Sequence, residues 1–167
     1  QKLKGFNNAV ELCCGVGIMS IQLSKVIPRV YGIDIDSKKI KAAKNNAKLY
    51  GVQNKVDFIL GDVLNEELLK SINAEVAILD PEWKTSEQIY AKDPELTNPN
   101  LNELWKLVKE NITKNIVMRI PPNFSKKIIQ KFGTCNVDNI YWKNELKFKV
   151  AYFLEGIDKY QEIDYFF

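Results

Sequence analysis

Histidine is absent from the 167 residues. That excludes Ser–His and Cys–His catalysis within this chain, and most zinc chemistry with it. Acid–base work falls to carboxylates, lysines, tyrosines or the backbone. Arginine is scarce as well: Arg29 and Arg119 are the only two, so the positive charge is almost all lysine. Three cysteines is an odd number, and two of them, Cys13 and Cys14, are adjacent in a predicted strand. No C-x-x-C or Cys/His spacing suggests zinc, so neither a disulfide framework nor a metal centre is expected. No apolar run is long enough to span a membrane, and the opening "QKLKGFNNAV" lacks the apolar core of a signal peptide. These absences point to an intracellular protein in a reducing setting, cytoplasmic or nuclear.

What is present is ordinary for one globular domain. Hydrophobic residues make up 46% and charged residues 27%, enough apolar material for a core. The net charge of +3 permits RNA or DNA as a partner without demanding it. A single domain over residues 1–167 is expected, and a monomer is favoured.

Apolar runs alternate with helical patterns, the sign of parallel β-α units. Strands are predicted over 8–14, 29–35, 55–60, 74–80 and 115–120, with helices over 17–27, 37–51, 65–72, 101–112 and 124–132. The runs 135–142 and 145–154 follow with no helix between them, which predicts an antiparallel hairpin. The longest unassigned stretch is a loop over about 81–100, and long ordered loops are often functional. In such sheets ligands bind at the carboxyl ends of the strands, near the switch in strand order.

The chemistry-bearing residues lie at those ends. "ELCCGVG" carries Gly15-x-Gly17, a tight strand-to-helix turn that lets backbone approach a ligand; position 20 is Ser, so the full G-x-G-x-x-G is not present. "GIDID" ends the second strand with Asp34, which can accept hydrogen bonds from ribose hydroxyls. "GD" at 61–62 ends the third strand, where Asp62 can meet an adenine amino group. Each acid has a plainer reading as a turn or helix cap. The fourth strand runs into Asp80-Pro81-Glu82-Trp83. This run resembles the [DNS]-P-P-[FYW] motif of amine methyltransferases, and the resemblance implies that Asp80 and the Pro81 carbonyl accept the acceptor's N–H groups while Trp83 stacks on its ring, so that rate comes from orientation and electrostatics. The plainer reading is a loop whose Trp covers the sheet edge.

Three acidic strand ends behind a Gly-x-Gly turn resemble the S-adenosylmethionine pocket of class I methyltransferases. The likeness implies an α/β, Rossmann-like class I methyltransferase fold: a mostly parallel seven-stranded sheet with an antiparallel C-terminal hairpin. It also implies S-adenosylmethionine as cofactor, held by Glu11, Cys13, Gly15, Gly17, Asp34, Ile35, Asp62, Val63 and Asp80. "DPEW" stands where amine methyltransferases carry [DNS]-P-P-[FYW], which makes Asp80, Pro81 and Trp83 the expected catalytic residues. The stretch 15–62, with its "IDID…KI…A+NNA…YG" pattern, is similar to the RNA cap guanine-N2 methyltransferase family, which includes trimethylguanosine synthase. "NIVMRIPPN" (115–123) and "NELKFKVAYF" (144–153) are similar to that family's later segments. RNA is then the expected substrate, met by Trp83, Glu82, Lys84, Arg119 and Asn123. Methylation of another base amine, adenine N6 included, and a non-catalytic module that binds RNA or a partner are the competing readings.

The chain departs from that family in places. Asp80-Pro81-Glu82-Trp83-Lys84-Thr85 stands where the family has a Ser-Pro-Pro-Trp-Gly-Gly-like run, so Glu82 costs the loop some rigidity or recognises a base edge. Only about seven residues precede the first strand, where the family uses a leading segment. A different substrate, or a core domain lacking an N-terminal extension, is expected from that. Lys38, Lys39, Lys41, Lys44 and Lys48 crowd one helix and read as a solvated face. Arg119 reads equally as a phosphate contact or a salt-bridge partner.

Overall fold

The computed structural model describes residues 2–84, 87 and 89–167; Thr85, one of the departures above, lies outside them. The chain alternates β1 (Asn8–Leu12), α1 (Ile18–Leu23), β2 (Arg29–Asp34), α2 (Ser37–Leu49), β3 (Val56–Leu60), α3 (Glu66–Lys70), β4 (Val76–Leu79), α4 (Leu101–Asn111), β5 (Ile116–Ile120) and α5 (Lys126–Ile129). It closes with β6 (Asn136–Trp142), β7 (Glu145–Phe153) and β8 (Gln161–Phe166). The strands form one sheet in the order β3-β2-β1-β4-β5-β7-β6-β8. β1 to β5 are parallel, β7 runs antiparallel to both β5 and β6, and β8 is parallel to β6. The strand order reverses at β1, so the crevice between the ends of β1 and β4 is the topological switch point.

Period-two patterning divides the core. Val10 and Leu12 of β1, Leu79 of β4 and Met118 of β5 face one side, where they meet Leu69 of α3, Leu104 and Val108 of α4 and Ile129 of α5. Ala9, Val30, Ile78 and Val117 face the other side, under Ile21 of α1 and Ile40, Ala43 and Ala47 of α2. Helices on both faces leave parallel strands buried on both sides. Helix starts are set by side-chain caps: Asp36 accepts the Lys38 and Lys39 N–H groups, Asn65 that of Leu68, and Ser125 that of Ile128. Among the described residues no helix is long and apolar enough to cross a membrane.

The α/β, Rossmann-like architecture is the one the resemblance implied, with an eighth strand added. β8 pairs with β6 outside the predicted hairpin, and the Tyr141 and Phe166 rings stack 4.6 Å apart. The hairpin itself turns on Lys143 and Asn144, both left-handed (φ 50° and 63°), as a two-residue turn between right-twisted strands requires.

Local differences at β1 bear on the site. The predicted strand reached Cys14, but it ends at Leu12 because Cys13 turns to φ 68°. Gly17 also has positive φ, and a Cβ there would lie 2.4 Å from Phe58. Gly17 is therefore the glycine over which the Phe58 ring packs beneath α1, a constraint of packing.

Glu11 points to the α1 face, 2% exposed, and accepts a hydrogen bond from the buried Ser20 hydroxyl. Burial pushes its carboxyl up to about 8, against a smaller opposing pull from Ser20. Between about 4.5 and 8 the folded chain therefore holds a proton that the unfolded chain has released. Stability from this group falls as pH rises through that window, and the full cost is reached above it. We expect Glu11→Gln, which keeps an acceptor for Ser20, to flatten the dependence by roughly 1 kcal/mol per pH unit. Denaturant midpoints measured from pH 5 to 9 check this: the variant should gain on the wild type as pH rises, and parallel curves would contradict it.

Candidate active site

Two cavities open along the carboxyl ends of the strands. The first, about 490 Å³, is lined by Cys13, Gly15, Asp34, Ile35, Lys39, Asp62, Val63, Leu64, Asp80, Pro81, Glu82, Trp83, Asn98, Pro99 and Arg119. It collects the ends of β1, β2, β3, β4 and β5 around the switch point. The second, about 510 Å³, lies on the α1 face between Ile18, Met19, Phe148 and Tyr152, with Glu11 also on its wall. Asp80 and Arg119 line both cavities and so form the partition between them.

Asp34 organises the first cavity. Its Oδ2 accepts the Gly15 N–H at 2.8 Å, and its Oδ1 accepts the Asp36 N–H at 2.9 Å. Each carboxylate oxygen keeps a second lone-pair direction for a ligand hydroxyl. The Gly15 amide is occupied by this contact, so the glycine turn does not offer it to a phosphate as a phosphate-binding loop would. Ile35, next in the chain, is 70% exposed at the cavity edge, an apolar face on which a planar base can rest. Asp62 closes the turn after β3, its Oδ1 accepting the Leu64 N–H at 2.9 Å while its side chain stays exposed. Acids, an apolar shelf and an occupied turn amide fit S-adenosylmethionine, a cationic nucleoside without phosphate. Asp34, Ile35, Asp62 and Val63 would hold its adenosine.

At the partition, Asp80 Oδ2 accepts from Arg119 Nη1 at 3.0 Å. Burial raises the Asp80 carboxyl above the usual aspartate range, and Arg119 offsets part of that. The Arg119 guanidinium nests in the cleft between two rings, 4.5 Å from the Trp83 centroid and 4.4 Å from that of Phe148. The Trp83 indole N–H is buried and unpartnered among the described residues. The loop after Asp80 is pinned by backbone: Glu82 N–H donates to Asn98 O at 2.8 Å, Asn98 N–H returns to Glu82 O at 3.1 Å, and Ala91 N–H donates to Trp83 O at 2.7 Å. The rigidity expected from a second proline is supplied by this pairing, and a proline at 82 would remove its first bond.

Several expected site residues lie elsewhere. Gly17 is packed against Phe58 and does not line the first cavity. Glu11 faces the second cavity, because the alternation of β1 sends it to the α1 side. Lys84 does not reach either cavity; its ammonium lies 5.6 Å from the Tyr90 ring centroid. Asn123 donates to the Tyr90 carbonyl at 3.4 Å and is likewise outside. Arg119, read as a phosphate contact or a salt bridge, is paired with Asp80. Lys39 and Phe148 are at the site and were not foreseen. Lys39 stood within a lysine-rich helix, and Phe148 within a strand of alternating wet and dry residues. Only pairing across β5 and β7 brings Phe148 to Arg119. Among the described residues no cluster of three or more metal-ligating side chains occurs.

The profile of the RNA cap guanine-N2 methyltransferase family matches residues 6–156. An uncharacterized RNA methyltransferase of Clostridium tetani is 38% identical over 89 residues, 52% of this chain and 19% of that protein. The tRNA (uracil(54)-C(5))-methyltransferase of Saccharomyces cerevisiae is 35% identical over 94 residues, 54% of this chain and 14% of the relative. This chain thus spans a fifth or less of the length of these two relatives. Among solved structures, M. capricolum TrmK, in complex with the cofactor product S-adenosyl-homocysteine, superposes with a TM-score of 0.67 at 17% identity. That match covers 96% of this chain and 66% of TrmK, a likeness of fold. With the family profile spanning nearly the whole sheet, the chain belongs to the RNA cap guanine-N2 methyltransferase family.

Proposed function

We propose that the protein is an S-adenosylmethionine-dependent RNA methyltransferase acting on the exocyclic N2 amine of guanine. The carrying observation is that Asp80, Pro81, Glu82 and Trp83 share one cavity with Asp34, Ile35 and Asp62. An amine-orienting loop thereby adjoins a nucleoside-cofactor pocket. When bound, the cofactor supplies an electrophilic methyl group on a sulfonium sulfur.

The remaining work falls to this chain. A base amine is a weak nucleophile because its lone pair is delocalised into the ring. Asp80 Oδ2 is engaged by Arg119, which leaves Oδ1 to accept an N–H of the acceptor and localise that lone pair. As the nitrogen takes the methyl group it gives up one proton, and Asp80 Oδ1 is placed to receive it. Burial makes that carboxylate a better proton acceptor than a solvated aspartate. Trp83 presents a ring for stacking.

Guanine is favoured over adenine by the acids. Its Watson–Crick edge carries adjacent N1–H and N2–H donors that match two carboxylates, Asp80 and Glu82, whereas adenine puts a lone pair at N1. Methylation of uracil C5 needs a nucleophile to activate the ring. Burial pushes the Cys13 thiol up to about 12 and Cys14 higher still, so neither serves as a thiolate.

The test is mass spectrometry of nucleosides after incubation with isotopically labelled cofactor and total RNA. Labelled N2-methylguanosine is the expected product. N6-methyladenosine or 5-methyluridine would overturn the guanine assignment. Cofactor binding with no labelled nucleoside would favour a non-catalytic module.

Asp34→Ala should weaken S-adenosylmethionine binding by about 1–3 kcal/mol, the scale for a hydrogen bond to a charged group. Isothermal titration reads it directly, and an unchanged dissociation constant would remove Asp34 from the ribose.

Trp83→Ala should leave that constant within a few-fold and lower methyl transfer. Base–aromatic stacking is worth about 1–3 kcal/mol, or roughly 5- to 150-fold in kcat/KM. Steady-state kinetics on the true acceptor, set beside cofactor titration, separates the two effects. Equal loss in both would make Trp83 part of the cofactor site.

A further inference from the structure

Phe148 and Arg119 stand outside the Asp-Pro-Glu-Trp loop, yet Arg119 pairs with its carboxylate and Phe148 packs against Arg119 and Trp83. Arg119 comes from β5 and Phe148 from β7, two strands that pair antiparallel with Arg119 opposite Val150. Phe148 is two residues along from Val150 and so projects on the same face. The Trp83 and Phe148 centroids are 6.3 Å apart with planes inclined at 40°. The guanidinium carbon sits 4.5 and 4.4 Å from them, in the mouth of that wedge. From there Nη1 reaches one oxygen of Asp80.

A planar cation is held best where ring faces meet it. The wedge therefore sets the direction from which the guanidinium approaches Asp80. That in turn decides which carboxylate oxygen is taken and which remains for an acceptor. The arrangement also divides the two cavities, since among the described residues Asp80 and Arg119 alone line both. Other groups around Asp80 are Glu11 from β1 and Cys13 in the turn after it, with Glu82 in its own loop. Arg119 is the cation among these.

We propose that Phe148 and Arg119 are positioning residues for methyl transfer: Phe148, with Trp83, orients the guanidinium so that Arg119 fixes Asp80 with one oxygen turned to the acceptor amine. The assignment to transfer rests on the function proposed above; the orientation of Asp80 does not.

Two measurements separate these. The first is NMR titration of the Asp80 carboxyl in the cofactor-free protein. Phe148→Leu keeps apolar bulk and removes the ring, and Arg119→Lys keeps charge and removes the planar fork. Both should raise the Asp80 midpoint, while Phe148→Tyr should restore the wild-type value. The second is the pH profile of kcat on the methylated RNA. Its acid limb should move to higher pH in Phe148→Leu and Arg119→Lys, with kcat on the plateau down by as much as about 100-fold in Arg119→Lys, the scale for a misplaced reacting group. Cofactor affinity should be nearly unchanged in Phe148→Leu.

Unmoved midpoints in Phe148→Leu and Arg119→Lys, with transfer by the wild type intact, would overturn the positioning role and leave the function standing. Moved midpoints in the two variants, with a wild-type protein that methylates no RNA amine, would support the orientation of Asp80 and overturn its link to transfer.

Discussion

The Asp34 carboxylate ties the end of one strand to the turn that follows another. One oxygen holds the Gly15 amide beyond β1, and the other holds the Asp36 amide that opens α2. Two strand ends and a helix start are thus fixed by one buried acid. A buried carboxylate is costly unless its lone pairs are met, and backbone donors meet them without adding a competing cation. The consequence reaches the ligand. Acceptor capacity remains on Asp34, while the Gly15 amide is withdrawn from service. A pocket built this way favours hydroxyls and a positive charge over phosphate. That preference is a property of local hydrogen bonding more than of net charge.

Much of this frame is legible from sequence because it obeys a period. Parallel strands buried on both faces read as apolar runs, and their acidic ends stand out against them at Asp34, Asp62 and Asp80. What escapes is whatever depends on the partner across the sheet. β8 carries the sequence "QEIDYF", with all six residues exposed, so it buries no face that would announce a strand. Gly17 looked like a ligand glycine because it sits in the right turn; only the Phe58 ring, supplied by β3, shows what it makes room for. Glu11 and Asp80 project to the same face, and which cavity each meets is decided by α1 and the β4 loop. Arg119 and Phe148 come together through antiparallel pairing that spacing along the chain does not encode.

Glu82 shows how a substitution changes meaning once backbone is considered. Read against a Pro-Pro motif, it is a loss of stiffness. In the fold, its amide and carbonyl both pair with Asn98, so the residue must be one with an N–H. The long loop returns to its own beginning through that bridge and through Lys84 opposite Tyr90. Stiffness and an acidic side chain are obtained together, and the side chain is left facing the cavity.

Charge imposes the last constraint. A sulfonium donor asks for acids, and Glu82, Asp80, Asp62 and Asp34 provide them around one cavity, with Lys39 and Arg119 its basic lining residues among those described. A polynucleotide asks for the opposite. Asp80 already engages Arg119, so little free positive charge remains inside for a phosphodiester. The chain as a whole nevertheless carries +3, and the exposed lysines of α2 at 38, 41, 44 and 48 lie outside the cavity lining. For the RNA substrate proposed above, phosphates are therefore best balanced away from the pocket, with the base alone entering it. Such a division makes binding of the polymer sensitive to salt, since it depends on exposed ammonium groups. On that proposal the choice of base falls to Asp80 and Trp83, whose partly buried contacts are screened less, with the exposed Glu82 at the rim.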